Sequence, residues 1–200
     1  MKKSLLSLFL LASFVFLFSG ALSAQTVIFK GGFCLANFHS FNQDPLSKAK
    51  TGLIGGLGIA IGGPQVFLEI DALYFQKGCR NDVGQAGEYK FLLPVISVPV
   101  MMKFRMSRKQ TSPFIVFGGE AGYVLEATQT GTGGTAWYPI PEGVKRFDFG
   151  VVGGAGFEIG MDTLSIVLEG RYHYGLTDLG TNNNLRFKTS ALCALIGFLF

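Results

Sequence analysis

The sequence is short of charge, of cysteine and of long apolar runs, and each shortage excludes something. Only 15% of its 200 residues are charged, and the formal net charge is +4. So weak a bias argues against a chain that grips nucleic acid through its phosphates. Three cysteines do not make the disulfide framework of a small secreted domain. Past Phe18 no stretch offers the ~18 consecutive apolar residues of a transmembrane helix, although mean hydropathy is high at +0.39. Amphipathic-helix periodicity is missing as well.

Glycine and phenylalanine are abundant, at 28 and 20 residues. The chain opens with Met1-Lys2-Lys3, an apolar run from Leu5 to Phe18, and the small residues Gly20-Ala21-Leu22-Ser23-Ala24. This is the pattern of a secretory signal peptide over residues 1–24, with cleavage expected after Ala24 or, alternatively, after Ala21. Losing Lys2 and Lys3 lowers the 17 basic residues to 15, against 13 acidic. Residues 25–200 are then one domain.

That domain alternates. In Arg146–Met161 the residues Phe147, Phe149, Val151, Ala155, Phe157, Ile159 and Met161 share one face, while glycine and charge occupy the other. Period 2 means a β-strand. Eight such runs follow one another: Val27–Phe38, Thr51–Gly62, Gln65–Lys77, Tyr89–Arg105, Pro113–Glu126, Arg146–Met161, Thr163–Tyr174 and Phe187–Phe200. Pro94 and Pro99 lie inside the fourth, where an irregularity is expected because proline cannot donate to a ladder. Segments 39–50, 78–88, 127–145 and 175–186 read as long polar loops, and 62–64, 106–112 and 160–163 as short turns. Long loops at one end and short turns at the other describe an outer-membrane barrel. The expected fold is therefore all-β, an eight-stranded antiparallel up-and-down transmembrane β-barrel. A soluble ligand-binding barrel is the rival, and it requires the aromatic faces to point inward.

At eight strands the lumen is only wide enough for side chains. The inward faces carry Lys30, Lys103, Arg105, Arg146 and Arg171 against Glu69, Asp71, Glu120, Asp148, Glu158 and Glu169. Unpaired charges there would be costly, so a packed ion-pair network is expected.

Five pieces, in order, carry a resemblance. They are Phe67–Tyr74 with Lys77-Gly78, Val98–Lys103, Pro113–Gly119, Phe147–Gly150 with Gly153–Gly156, and Arg171–Thr177. Together they resemble the "porin family" or PorT-like outer-membrane barrel proteins of Bacteroidetes, over nearly the whole of residues 25–200. The resemblance implies an eight-stranded barrel and no shared biochemical activity. The secretion role associated with PorT has no specific motif here. Barrels of this kind tend to end in an aromatic residue read by the barrel-assembly machinery, and Phe198 and Phe200 match that ending.

The remaining candidates are modest. The glycine runs 52–63 and 150–160 lack the following helix that a phosphate loop needs. His173 is expected to point inward beside Arg171 in a hydrogen-bonding role, and His39 to sit solvated in the first loop. If Val27 lies opposite Phe200, then Cys34 lies opposite Cys193, both inward. That register allows a cross-strand disulfide, with two free thiols as the favoured alternative. Tyr74, Tyr89, Tyr123, Tyr172 and Tyr174 fit aromatic girdles. Trp137, Tyr138, Pro139 and Pro141 form a loop cluster that could bind a partner or pack across the mouth. No catalytic residue, metal site or cofactor is expected. The expected partners are outer-membrane lipid, the assembly machinery and a protein met through the long loops, for a monomer that binds no nucleic acid. Function is read as structural or loop-mediated, without enzymatic activity. The alternatives are a narrow porin-like channel, a lipid-modifying enzyme or a secretion-associated component.

Overall fold

Alternation along each run dictates the local structure, and pairing closes it. A computed structural model describes residues 25–40, 47–82, 88–107, 110–125, 128–131, 134–136, 144–161, 164–180 and 186–200. The signal-peptide stretch 1–24 and the cluster Trp137, Tyr138, Pro139 and Pro141 lie outside them. The strands are β1 (Gln25–Ser40), β2 (Ser47–Gly62), β3 (Val66–Asp82), β4 (Glu88–Arg105), β5 (Thr111–Val124), β6 (Thr128–Gly131), β7 (Gly134–Ala136), β8 (Phe147–Gly160), β9 (Ser165–Gly175) and β10 (Phe187–Leu199). Eight long strands pair antiparallel with their sequence neighbours, and β10 returns to β1. The short hairpin β6–β7 is an extension that pairs with the outer end of β4.

Closure at the β1–β10 seam follows one unbroken register, from Ile28 opposite Leu199 to Ser40 opposite Phe187. Val27 and Phe200 exchange both backbone hydrogen bonds, at 3.2 and 3.0 Å. A closed sheet leaves no edge, which is the condition for a sheet to sit in lipid.

Two expectations about the loops are corrected. The described residues of segments 39–50 and 78–88 are strand: β1 runs to Ser40, β2 starts at Ser47, β3 runs to Asp82 and β4 starts at Glu88. Outside a bilayer both faces of a hairpin meet water, so its ladder continues while the apolar alternation stops. His39 accordingly lies in β1, where its Nε2 is 2.8 Å from the Ser190 hydroxyl.

The irregularity expected near the prolines falls at Pro94. There β4 changes partner from β5 to β6, and the three-residue step from Val95 to Leu92 faces the four-residue step from Val124 to Thr128. Pro99 sits opposite Glu120 with no register shift. A separate bulge offsets β2 against β3 between Ala49 and Ile54.

The outward face is apolar. Phe29, Phe33, Leu57, Val98, Phe117, Phe149, Phe157, Leu168 and Ile196 are all exposed, with Phe33 at 64%. Tyr74, Tyr123, Tyr172 and Tyr174 are exposed toward the loop end of this belt. Apolar side chains therefore point out and charged ones in, which is incompatible with the soluble rival.

Candidate functional site: the filled lumen

Inside the barrel, apolar and charged groups alternate along the axis. Inward positions of β3 read Phe67, Glu69, Asp71, Leu73, Phe75 and Lys77. At the turn end Ile28, Ala60, Met101, Phe114, Val116, Val152, Val167 and Leu199 form one apolar cluster. In the middle Cys34, Ala36, Ile54, Leu73, Phe75, Ala191, Cys193 and Leu195 form a second.

The larger charged group is built around Arg171, which is 0% exposed. Its Nη1 donates to Asp71 at 2.8 Å. Its Nη2 donates to Glu69 at 2.6 Å and to Glu169 at 3.0 Å, and Nε donates to Glu169 as well. The Lys30 ammonium reaches the same three carboxylates, with Glu169 at 3.1 Å and Asp71 at 3.4 Å. Lys103 lies 3.6 Å from Glu69 and 3.5 Å from Glu158, and Arg105 pairs with Glu158. Lys103 and Arg105 also stand over the rings of Phe114 and Phe67. Four cations meet four carboxylates, so desolvation, which costs several kcal/mol per ion, is offset by mutual attraction in the buried interior.

A smaller polar group lies nearer the loop end. The Lys77 ammonium donates to Asp148 at 3.1 Å, to Glu120 at 3.3 Å and to the Thr189 hydroxyl at 3.3 Å. Ser97 donates to Glu120 at 3.0 Å, and Thr189 to Asp148 at 2.9 Å. His173 Nδ1 lies 2.7 Å from Glu120, and its ring meets Phe75 edge-on at 5.0 Å. His173 thus points inward, engaged with a carboxylate.

Glycines make the room. A Cβ at Gly154 would sit 2.4 Å from the Gly170 carbonyl and 3.1 Å from the Arg171 chain. One at Gly58 would sit 2.0 Å from the Asp71 carboxylate. Gly58 and Gly154 thus leave space for the Asp71 and Arg171 side chains.

The structure places Lys30, Glu69, Asp71, Lys103, Arg105, Glu120, Asp148, Glu158, Glu169 and Arg171 together in these two groups and corrects one member. Arg146 is exposed just ahead of β8 and donates to the Tyr123 hydroxyl at 3.2 Å. Parity put it inside, but β8 begins only at Phe147, so the alternation does not extend to it. Lys77 takes its place in the lumen, where the two groups together hold five cations and six carboxylates. Parity with Glu69, Asp71 and Phe75 was the signal for Lys77, obscured by its position at the end of the apolar run.

Cys34 and Cys193 face each other in register, both buried, and no disulfide joins them to each other or to Cys79. Cys34 donates to the Gln76 carbonyl at 3.6 Å. Phe198 and Phe200 point outward at the turn end, where the Phe200 ring meets Phe29 edge-on at 5.7 Å.

The loop end is covered. Leu179, between β9 and β10, is fully buried against Leu93, Val95 and Val124, with Phe38, Val144 and Phe187 packed around them. Its backbone N–H donates to Phe187 and its carbonyl accepts from Lys145. Asp178 accepts from the N–H groups of Gly180 and Phe187 and from Arg186. The Arg186 guanidinium, above all, holds the Asp178 carboxyl below the usual aspartate range.

Residues 24–180 match the family model described as "Outer membrane protein beta-barrel domain". Among solved structures, Neisserial surface protein A is similar over 88% of this chain and 98% of its own, at 10% identity and a TM-score of 0.53. OprG from Pseudomonas aeruginosa covers 88% of this chain and 96% of its own, at 12% identity and a TM-score of 0.47. No curated protein sequence matches the chain. At such identities the structural likeness speaks for the fold alone, and the family match carries the assignment. The chain belongs to the outer membrane protein β-barrel domain family and is an integral outer-membrane protein of the small eight-stranded type.

Proposed function

We propose that this barrel is a closed, non-enzymatic outer-membrane protein that acts structurally or through its extracellular loops. The filled lumen carries the reading. Two ion-paired groups lie among apolar clusters, and Leu179 covers the loop end. A solute crossing this interior would have to displace buried salt bridges, each costly to break. The finer PorT-like assignment rests on the five sequence pieces given above. Phe198 and Phe200 are the proposed signal to the assembly machinery, and the belt is the proposed contact with lipid around a monomer. Single-channel recording on refolded protein in planar bilayers tests the reading. Silence across the applied voltages is expected, and steady, reproducible openings would overturn it.

A further inference from the structure

Neighbouring long strands are consecutive in the sequence at every pairing but one, the seam where β10 meets β1. No turn holds that pair together. Cys34 of β1 and Cys193 of β10 lie directly opposite each other across it, both inward and buried, at 1% and 2% exposure. Their place in the ladder matters as much as their register. Val27 and Phe200 exchange both backbone hydrogen bonds, and the same register runs unbroken past the cysteines. Hydrogen-bonded and non-hydrogen-bonded pairs alternate along an antiparallel ladder. An odd number of steps separates Val27 from Cys34, so the cysteines occupy a non-hydrogen-bonded site. Cα atoms at such sites stand about 4.5 Å apart, inside the roughly 4.4–6.8 Å that a disulfide spans. On its other side Cys34 faces Gly52, which has no side chain to crowd the sulfur. Cys79 faces Ala49 and Phe91, so neither strand beside it offers it a cysteine.

We propose that Cys34 and Cys193 are a disulfide site, and that oxidation of the pair closes the barrel covalently at its seam. Sequence alone leaves the register open and so favours two thiols. The register and the hydrogen-bond phase together favour the bond. The compartment favours it as well, since an outer-membrane protein passes through an oxidising periplasm. Two S–H bonds break and one S–S bond forms. The oxidant is itself a disulfide, carried by a thiol oxidase of the envelope or by a small molecule. The Cys34 thiolate attacks it, and the Cys193 thiolate then attacks the mixed disulfide at the Cys34 sulfur. The oxidant departs as two thiols, with both electrons and both protons. Both sulfurs are buried in the closed barrel, so the exchange belongs to the stage before β10 docks on β1. The bond gives up only the weak hydrogen bond from Cys34 to the Gln76 carbonyl. It restrains the unfolded chain strongly, because Cys34 and Cys193 lie in the first and last strands. The proposal is independent of whether the lumen conducts.

The test starts from outer membranes of cells making the full chain. They are dissolved in hot SDS with N-ethylmaleimide present throughout, which caps thiols, and the protein is digested without reduction for mass spectrometry. The expected product is a Cys34 peptide joined to a Cys193 peptide, two hydrogens lighter than the separate thiols, with Cys79 outside the bridge. Recovery of Cys34 and Cys193 mainly in capped form would overturn the proposal, and so would a bridge to Cys79. Reversible urea unfolding of the barrel refolded in vesicles then reads the covalent closure. A reductant should raise the unfolding equilibrium constant of the wild type at least about tenfold. It should leave the double variant Cys34→Ala, Cys193→Ala unmoved. A wild type indifferent to reductant would overturn the closure of the seam. If the double variant does not fold, the peptide map and the effect of reductant on the wild type decide by themselves.

Discussion

The two charged groups in the lumen solve the same problem in different ways. Around Arg171, four cations face four carboxylates, and nearly every contact is between full charges. Around Lys77, a single lysine serves two carboxylates, and Ser97, Thr189 and His173 supply further hydrogen bonds. The first group relies on charge balance and the second on hydrogen bonding. The two arrangements should respond differently when one member is removed.

The largest effect is expected from Arg171→Met. It leaves Glu69, Asp71 and Glu169 sharing Lys30 and, for Glu69, Lys103, and should cost about 3–5 kcal/mol, the range for breaking a buried ion pair. Reversible urea unfolding of the refolded barrel in vesicles measures it, and a loss below ~1 kcal/mol would dissolve the contrast. Lys77→Met should cost less, about 2–3 kcal/mol, because Glu120 keeps Ser97 and His173 while Asp148 keeps Thr189. Equal losses for the two variants would show that the hydrogen bonds from Ser97, Thr189 and His173 do not compensate as argued.

The smallest effect concerns the lid. Because its folded carboxyl is held below the ordinary value, Asp178 contributes stability that is fully present above about pH 4. That contribution fades as pH falls through the depressed folded value. Amide proton shifts of Gly180 and Phe187, which donate to this carboxylate, should move only below about pH 4, and Asp178→Asn should abolish the transition. A transition near pH 6 would assign the lid to another group.

How far the sequence was legible depends on where a residue sits along its strand. Within the bilayer the two faces of a strand meet lipid and lumen, so the inward positions of Glu69, Asp71, Glu158, Glu169 and Arg171 could be read from alternation alone. The seam register was not legible, since the shear of a barrel is not written in either strand; Cys34 opposite Cys193 followed only on the condition that Val27 faces Phe200, and the closed sheet meets that condition. Legibility stopped at strand ends. Arg146 and Lys77 exchanged roles because one lies a residue before its strand begins and the other lies where the apolar pattern gives out. The extended hairpins of β1–β2 and β3–β4 were hidden for the same reason: above the bilayer the ladder persists without a hydrophobic signature.

The sequence by itself determined that this chain is a barrel and which face meets lipid, since period 2 with apolar residues outside is a local property of each strand. Only the tertiary structure decided which charges meet. Arg171 lies 100 residues from Asp71 and 102 from Glu69, and the closed sheet, with glycines such as Gly154 and Gly58 giving way, is what brings them within hydrogen-bond reach.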